Sequence, residues 1–168
     1  RALPFIAIVA LFAGCTSMTP YGPSAVADLA PTKDSKVAGT VTFTQKGDKV
    51  VVQAKVSGLA PGTHGFHVHE KGDCSSGDGM SAGGHFNPEA KPHGPQTAPH
   101  HAGDMPSLKA DAGGRAKATF VLEGVTVSPG PTSVVGRGLI VHKDPDDYRT
   151  QPTGNAGARL ACAVIRAS

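Results

Sequence analysis

Tryptophan is absent from the 168-residue chain, and six Phe with two Tyr bring the aromatic share to only 5%. Lys and Arg never gather into a dense run, and the formal net charge is +3. A basic surface with aromatic stacking platforms is what nucleic acid needs, so nucleic acid is excluded as a partner. No apolar run reaches the roughly 20 residues that a membrane-spanning helix requires. Good helix formers are displaced by 22 Gly and 14 Pro, about a fifth of the chain, against a usual share of roughly 12%. That composition excludes long helices, and with them coiled coils and helical bundles. The glycines follow no three-residue period, so the chain is not collagen-like. Apolar residues still make up 39%, which excludes a disordered chain and supports one domain with a real core.

Cysteine is scarce as well: Cys15, Cys74 and Cys162 are all there is. The first stretch, RALPFIAIVALFAGC, places Arg1 before an apolar segment that ends in small residues at Cys15. This is the layout of an export signal, expected over residues 1–14. Its end, LFAGC, resembles the lipobox of bacterial lipoproteins, in which the cysteine takes a diacylglyceryl group; an ordinary signal cut nearby is the alternative. Residues 15–24 then read as a lipidated N-terminus and a flexible tether, and residues 25–168 as the domain. The expected address is the bacterial cell envelope or periplasm, with membrane contact through a lipid anchor at Cys15 only. With Cys15 lipidated, Cys74 and Cys162 remain as an even pair, a disulfide candidate in an oxidising compartment. The alternative is two reduced, buried thiols.

The domain reads as short strands separated by turns. Val50, Val52, Ala54 and Val56 alternate with Lys49, Val51, Gln53 and Lys55, and Lys46-Gly47-Asp48 forms a hairpin turn before them. Period-two patterns of this kind predict about eight strands, near 25–31, 37–45, 49–57, 63–70, 105–111, 115–121, 134–142 and 159–165. Such a density of strands points to an all-β sandwich or barrel. Two long segments, 71–104 and 143–158, carry many Gly, Pro, Asp, Asn and Ser. Loops of that length inside a compact domain are usually functional, and they need a metal or a disulfide to order them.

Seven of the eight histidines fall between residues 64 and 101: His64, His67, His69, His85, His93, His100 and His101, with His142 apart. His67 and His69 sit two residues apart on a predicted strand. Both rings therefore face one side and can reach one metal, while Phe66 and Val68 face the core. His85, His93, His101 and Asp104 lie in the first long loop, where irregular spacing still allows convergence. Three His and one Asp suit tetrahedral zinc. His142 alone, at the end of Gly138-Leu139-Ile140-Val141, reads as readily as a structural residue.

Taken in order and spacing, GFHVHEKGDC, GGHFNP, HGP, HAGD, GRGLIVHKDPDD and GNAGARLACAVI resemble the copper–zinc superoxide dismutase family, over about residues 37–166. The resemblance implies an eight-stranded Greek-key β-barrel with long metal-binding and active-site loops. It implies dismutation of superoxide to O2 and H2O2 by alternating reduction and oxidation of a histidine-bound copper, with one copper and one zinc per subunit. By the same resemblance His67, His69, His85 and His142 are copper ligands. His85, His93, His101 and Asp104 are zinc ligands, with His85 as the bridge. His100 is a rival for His101, although the three-residue step to Asp104 favours His101. Arg159 is the active-site arginine, with His85 the other catalytic residue. Asp146 is the carboxylate that links a copper ligand to a zinc ligand, His64 is a supporting histidine, and Cys74–Cys162 is the disulfide. A non-enzymatic copper- or zinc-binding module of the same fold, or a lipid-anchored interaction module, are the competing readings. The eight-residue step from His85 to His93 resembles the eukaryotic branch, and the short loop after Cys74 departs from many bacterial members. The choice between monomer and homodimer therefore stays open at this point.

Overall fold

A computed structural model describes residues 22–168 of the chain. The expected export signal, Cys15 and most of the tether lie outside the described residues. Ten strands run in chain order: β1 (Ser24–Pro31), β2 (Ala38–Lys46), β3 (Lys49–Ser57), β4 (Gly62–His64), β5 (Phe66–His69), β6 (Leu108–Ala110), β7 (Ala116–Leu122), β8 (Gly138–His142), β9 (Arg159–Val164) and β10 (Arg166–Ala167). One 3-10 turn, Met80–Ala82, is the only helical element among the described residues.

The main sheet has the antiparallel order β5-β8-β9-β1-β2-β3-β7, with β10 beside β1. A second pair, β4 with β6, runs on in the chain into β5 and β7, the two ends of that order. The result is an all-β Greek-key barrel, as expected from the strand density.

The alternation read from the sequence is what builds it. Val50, Val52, Ala54 and Val56 of β3 point into the core, and Val41 and Phe43 of β2 meet them. Lys49, Gln53 and Lys55 stay outside. Each fully buried Val or Phe contributes about 1.5–3 kcal/mol, so two alternating strands already hold much of the barrel. Strand β8 is buried along its whole length, Gly138 to His142. That explains its unbroken apolar run and puts His142 under the surface.

Two differences from the sequence reading bear on the site. The single strand expected over 63–70 divides at Gly65: β4 pairs with β6, and β5 pairs with β8. At the division Gly65 donates its N–H to the Asp144 carbonyl and accepts from the His142 N–H. A Cβ there would stand 2.7 Å from Ala156 Cβ and 3.3 Å from His67 Cε1, so only glycine lets the active-site loop approach this closely. The second difference is a bulge. Strands β8 and β9 keep one register from Gly138↔Val164 to Val141↔Ala161, then shift to His142↔Arg159. Leu160 is the extra residue, and the bulge aims His142 and Arg159 toward one opening.

Candidate metal centre

Strand β5 is the foundation. Its backbone pairs with β8 on one side and with the long loop on the other. Val68 donates to the Gly103 carbonyl, Phe86 donates to Val68, and Glu70 donates to Gly84, each at 2.9 Å. The loop is thus laid along β5 like a broken strand, with His69 opposite His85 and His67 opposite Asp104. Phe66 and Val68 enter the apolar core, as the alternation predicted.

His67, His69, His85 and His142 offer ligand atoms that all lie within 4.8 Å of one another. In each ring one nitrogen is tied to an oxygen. His67 Nε2 lies 2.7 Å from Asp146 Oδ2, His69 Nδ1 2.9 Å from the Gly83 carbonyl, His85 Nδ1 2.8 Å from Asp104 Oδ1, and His142 Nδ1 3.2 Å from the Gly157 carbonyl. The opposite nitrogens, His67 Nδ1, His69 Nε2, His85 Nε2 and His142 Nε2, are buried and have no partner. They are the only such side-chain atoms among the described residues. An unpaired buried polar atom is costly, and four at one spot need a common explanation. A metal drawing on four imidazole lone pairs supplies it, because the tied nitrogen carries the proton and leaves the other bare. Burial pushes His67 down to about 4 against the opposing bond from Asp146, and His142 down to about 3. His69 is also pushed well below its usual value, first by burial and then by its neighbours His85 and Arg159. These three rings are therefore neutral at pH 7, the form that can bind metal.

The second group is His85, His93, His101 and Asp104. Asp104 Oδ1 lies 2.8 Å from His85 Nδ1, 2.9 Å from His93 Nδ1 and 3.4 Å from His101 Nδ1. Its Oδ2 accepts the backbone N–H groups of Gly94 and His101. Burial would raise the Asp104 carboxyl, but the bonds from His85 and His93 hold it well below the carboxylate range. Three Nδ1 atoms and one carboxylate oxygen converging on a point form the N3O donor set of tetrahedral zinc. His100 stands outside: its Nδ1 bonds the Ala98 carbonyl at 2.7 Å. The three-residue step to Asp104 therefore picked the residue that joins the group.

Asp146 joins the two groups. Its Oδ2 takes His67 Nε2 and its Oδ1 takes His93 Nε2 at 2.9 Å, with the Tyr148 backbone N–H also on Oδ1. Burial opposes charge on His93, yet bonds to Asp104 and Asp146 raise it to about 9. His64 supports from behind, its two ring nitrogens facing the carbonyls of His142 and Ala60 at 2.9 and 2.8 Å. Cys74 and Cys162 form a disulfide that ties the long loop to β9.

Arg159 reaches over the loop. Its Nη1 donates to the Gly79 carbonyl at 2.8 Å and its Nη2 to the Gly83 carbonyl at 2.7 Å. It shares a cavity of about 180 Å3 with His69, Met80, His142, Thr153, Ala156 and Gly157. A fixed cation beside two of the bare nitrogens can draw in and orient a small anion.

Three contributors escaped the sequence reading. Gln151 pairs with the His93 backbone at both ends, Oε1 accepting from its N–H at 2.8 Å and Nε2 donating to its carbonyl at 2.9 Å. Tyr148 stacks its ring near that of His93, and its hydroxyl donates to the Met105 carbonyl. Gly154, at φ 66°, lies so close that a Cβ would stand 2.0 Å from Asp146 Oδ1. All three sit in an irregular loop, where no periodicity marks them.

Comparison with known proteins agrees with this geometry. The family model for copper/zinc superoxide dismutase matches residues 37–165. Superoxide dismutase [Cu-Zn] 2 of Brassica juncea is 46% identical over 137 residues, covering 77% of this chain and 89% of its own. The crystal structure of the clock protein EA4 is similar with a TM-score of 0.78 at 41% identity, over 85% of this chain and 93% of that one.

Proposed function

The chain belongs to the copper/zinc superoxide dismutase family, and from that membership we infer which side chain carries which part of the work. The activity is dismutation of superoxide to O2 and H2O2, with copper and zinc as cofactors. His67, His69, His85 and His142 hold the copper; His85, His93, His101 and Asp104 hold the zinc. The observation that carries this assignment is the set of four buried, unpartnered ring nitrogens turned toward one another. Bound copper supplies a one-electron cycle between two oxidation states, which zinc, with no accessible redox change, cannot.

His85 is the one ring common to both groups. It offers Nδ1 to the zinc side and Nε2 to the copper side. When Nε2 is not engaged it can hold a proton there, close to where the peroxide product needs one. Arg159 attracts the substrate anion and holds it against His69 and His142, an arrangement that converts encounter into orientation. The narrow cavity admits a diatomic anion and keeps bulk water from the inner rings. Asp146 keeps the His67 and His93 rings aimed by accepting their outer N–H groups. All four copper-side rings and Arg159 are present, so nothing favours a non-enzymatic metal-binding module.

Either assembly state, monomer or homodimer, leaves the site complete, since every ligand comes from one chain. We place the domain outside the cytoplasm, in a bacterial envelope or periplasm, anchored by a lipid on Cys15. The leader RALPFIAIVALFAGC supports this reading, as does a disulfide of the kind that persists in oxidising compartments. Cys15→Ser should then move the protein from the membrane to the soluble fraction with its specific activity intact; continued membrane fractionation would refute the anchor.

The metal assignment is tested on purified protein by copper and zinc analysis, the paramagnetic resonance spectrum of copper and superoxide consumption. His142→Ala should lose copper and activity while zinc is retained. Full copper occupancy with an unchanged spectrum in that variant would overturn the copper assignment.

A further inference from the structure

Met80 is 59% exposed, one of two exposed large hydrophobics among the described residues, while Met105 is fully buried. The turn that carries Met80 is firmly rooted. Asp78 Oδ1 accepts the Met80 backbone N–H at 2.9 Å. The carbonyls before and after the turn, Gly79 and Gly83, are both clamped by Arg159, and that of Gly83 also takes His69 Nδ1. Ala82 is packed with Ile140 and the Cys74–Cys162 bond. The flexible thioether is therefore held on a rigid base at the opening.

What lies behind it is the second observation. Met80 lines the same 180 Å3 cavity as His69 and His142, and both rings leave Nε2 buried and unpartnered. His67 and His85 are absent from the cavity wall. A metal ion entering through this cavity meets Met80, His69 and His142 before His67 and His85. Thioether sulfur is a soft ligand that selects Cu(I). Leucine would fill the same space without offering a lone pair.

We propose that Met80 is an entry ligand for copper: its sulfur captures Cu(I) at the mouth and hands it to His69 and His142, from which it passes to His67 and His85. No redox step is involved, since one ligand replaces another around the same ion. The proposal rests on the copper assignment above.

The test follows copper uptake by the full chain loaded with zinc but free of copper. Cu(I) is supplied anaerobically from its coloured bicinchoninate complex, and Cu(II) separately from a glycine complex. Met80→Leu should take up Cu(I) at least tenfold more slowly than the parent, with Cu(II) uptake changed less than twofold and the same final copper content. Equal slowing of both ions would make Met80 a steric element and overturn the proposal, as would unchanged Cu(I) uptake. Failure of the copper assignment looks different, because then the parent itself takes up no stoichiometric copper. A second readout is X-ray absorption of Cu(I) bound to His67→Ala, where one of the two final receiving rings is missing and the ion is delayed at the mouth. A sulfur neighbour should be present there and vanish when Met80→Leu is added. Absence of sulfur in His67→Ala would also overturn the proposal.

Discussion

Asp146 is a buried carboxylate shared between a ring on a strand and a ring in a loop, and its removal should separate the two metals. In Asp146→Leu the forked shape of the side chain is kept at a larger volume, and both acceptor oxygens are lost. His67 Nε2 loses its 2.7 Å partner and His93 Nε2 its 2.9 Å partner. A hydrogen bond to a charged group is worth about 1.5–3 kcal/mol, so the two rings suffer similar direct losses. Their supports differ. His67 belongs to β5, whose backbone is paired with β8 and with the loop on its other side. Its backbone stays placed without Asp146, so the ring loses less of its aim. His93 belongs to an irregular loop, where the Gln151 side chain holds its backbone N–H and carbonyl. Zinc affinity should therefore fall about 10–100-fold, the usual cost of losing a partner behind a ligand, while copper affinity falls less than tenfold.

The assay is competition against a chromophoric chelator, run for each metal separately on the same preparation. Asp146→Asn is the graded control: an amide has one oxygen, which can accept from only one of the two rings, so its zinc affinity should lie between those of the parent and the Leu variant. An unchanged zinc affinity in Asp146→Leu, or a larger loss for copper than for zinc, would refute the distinction between strand-held and loop-held rings.

Arg159→Ile should keep both metals yet reduce the dismutation rate by one to two decades, since a charge-assisted contact of about 1.5–3 kcal/mol is lost; Arg159→Lys should lose less but cannot reach both Gly79 and Gly83. An unchanged rate and unchanged azide affinity in metal-loaded Arg159→Ile would count against the role. Cys74→Ser opens a loop with a sequence separation of 88, worth up to about 4–5 kcal/mol on the chain-entropy account, and calorimetry should show a lower melting temperature with loosened zinc; a melting temperature equal to that of the parent would contradict it. In the metal-free protein His93 is raised to about 9, so at pH 7 it is protonated and zinc must displace that proton. Calorimetry in two buffers of different ionisation enthalpy should detect the released proton at pH 7 and see the release fade as pH passes 9.

Much of the metal centre could be read in the sequence because its ligands obey simple spacings. His67 and His69 declare a shared face through the period of a strand, and His101 reaches Asp104 in three residues, which favoured it over His100. The barrel followed from alternation in β2, β3 and β7, where inward side chains are flanked by outward ones that are polar except at Val51 and Val121. Reading failed where a backbone event leaves no mark on the pattern. The run 62–69 carries no turn pair at Gly65, yet the chain changes partners there because Asp144 and His142 take its peptide groups. The bulge at Leu160 is silent for the same reason: an extra residue in β9 changes the register of the ladder, not the composition of the strand.

The loop residues show a deeper limit, and also why the site holds together. Gln151, Tyr148 and Gly154 act on His93 and Asp146 through backbone amides, ring stacking and close approach, none of which requires a particular spacing. Their effect exists only once the loop of residues 143–158 is folded over the loop of residues 71–104. The disulfide and Arg159 bring the first long loop to β9; Asp146 and Gln151 bring the second long loop to the first. Each loop alone lacks a core of its own, and each is ordered by polar bonds that end on a metal-site histidine or its neighbours. Loop order and metal binding are thus one equilibrium: any change that frees a loop must weaken the metals, and removal of zinc must free the loops. Hydrogen exchange along residues 71–104 and 143–158 should rise together in zinc-free protein while β2 and β3 stay protected.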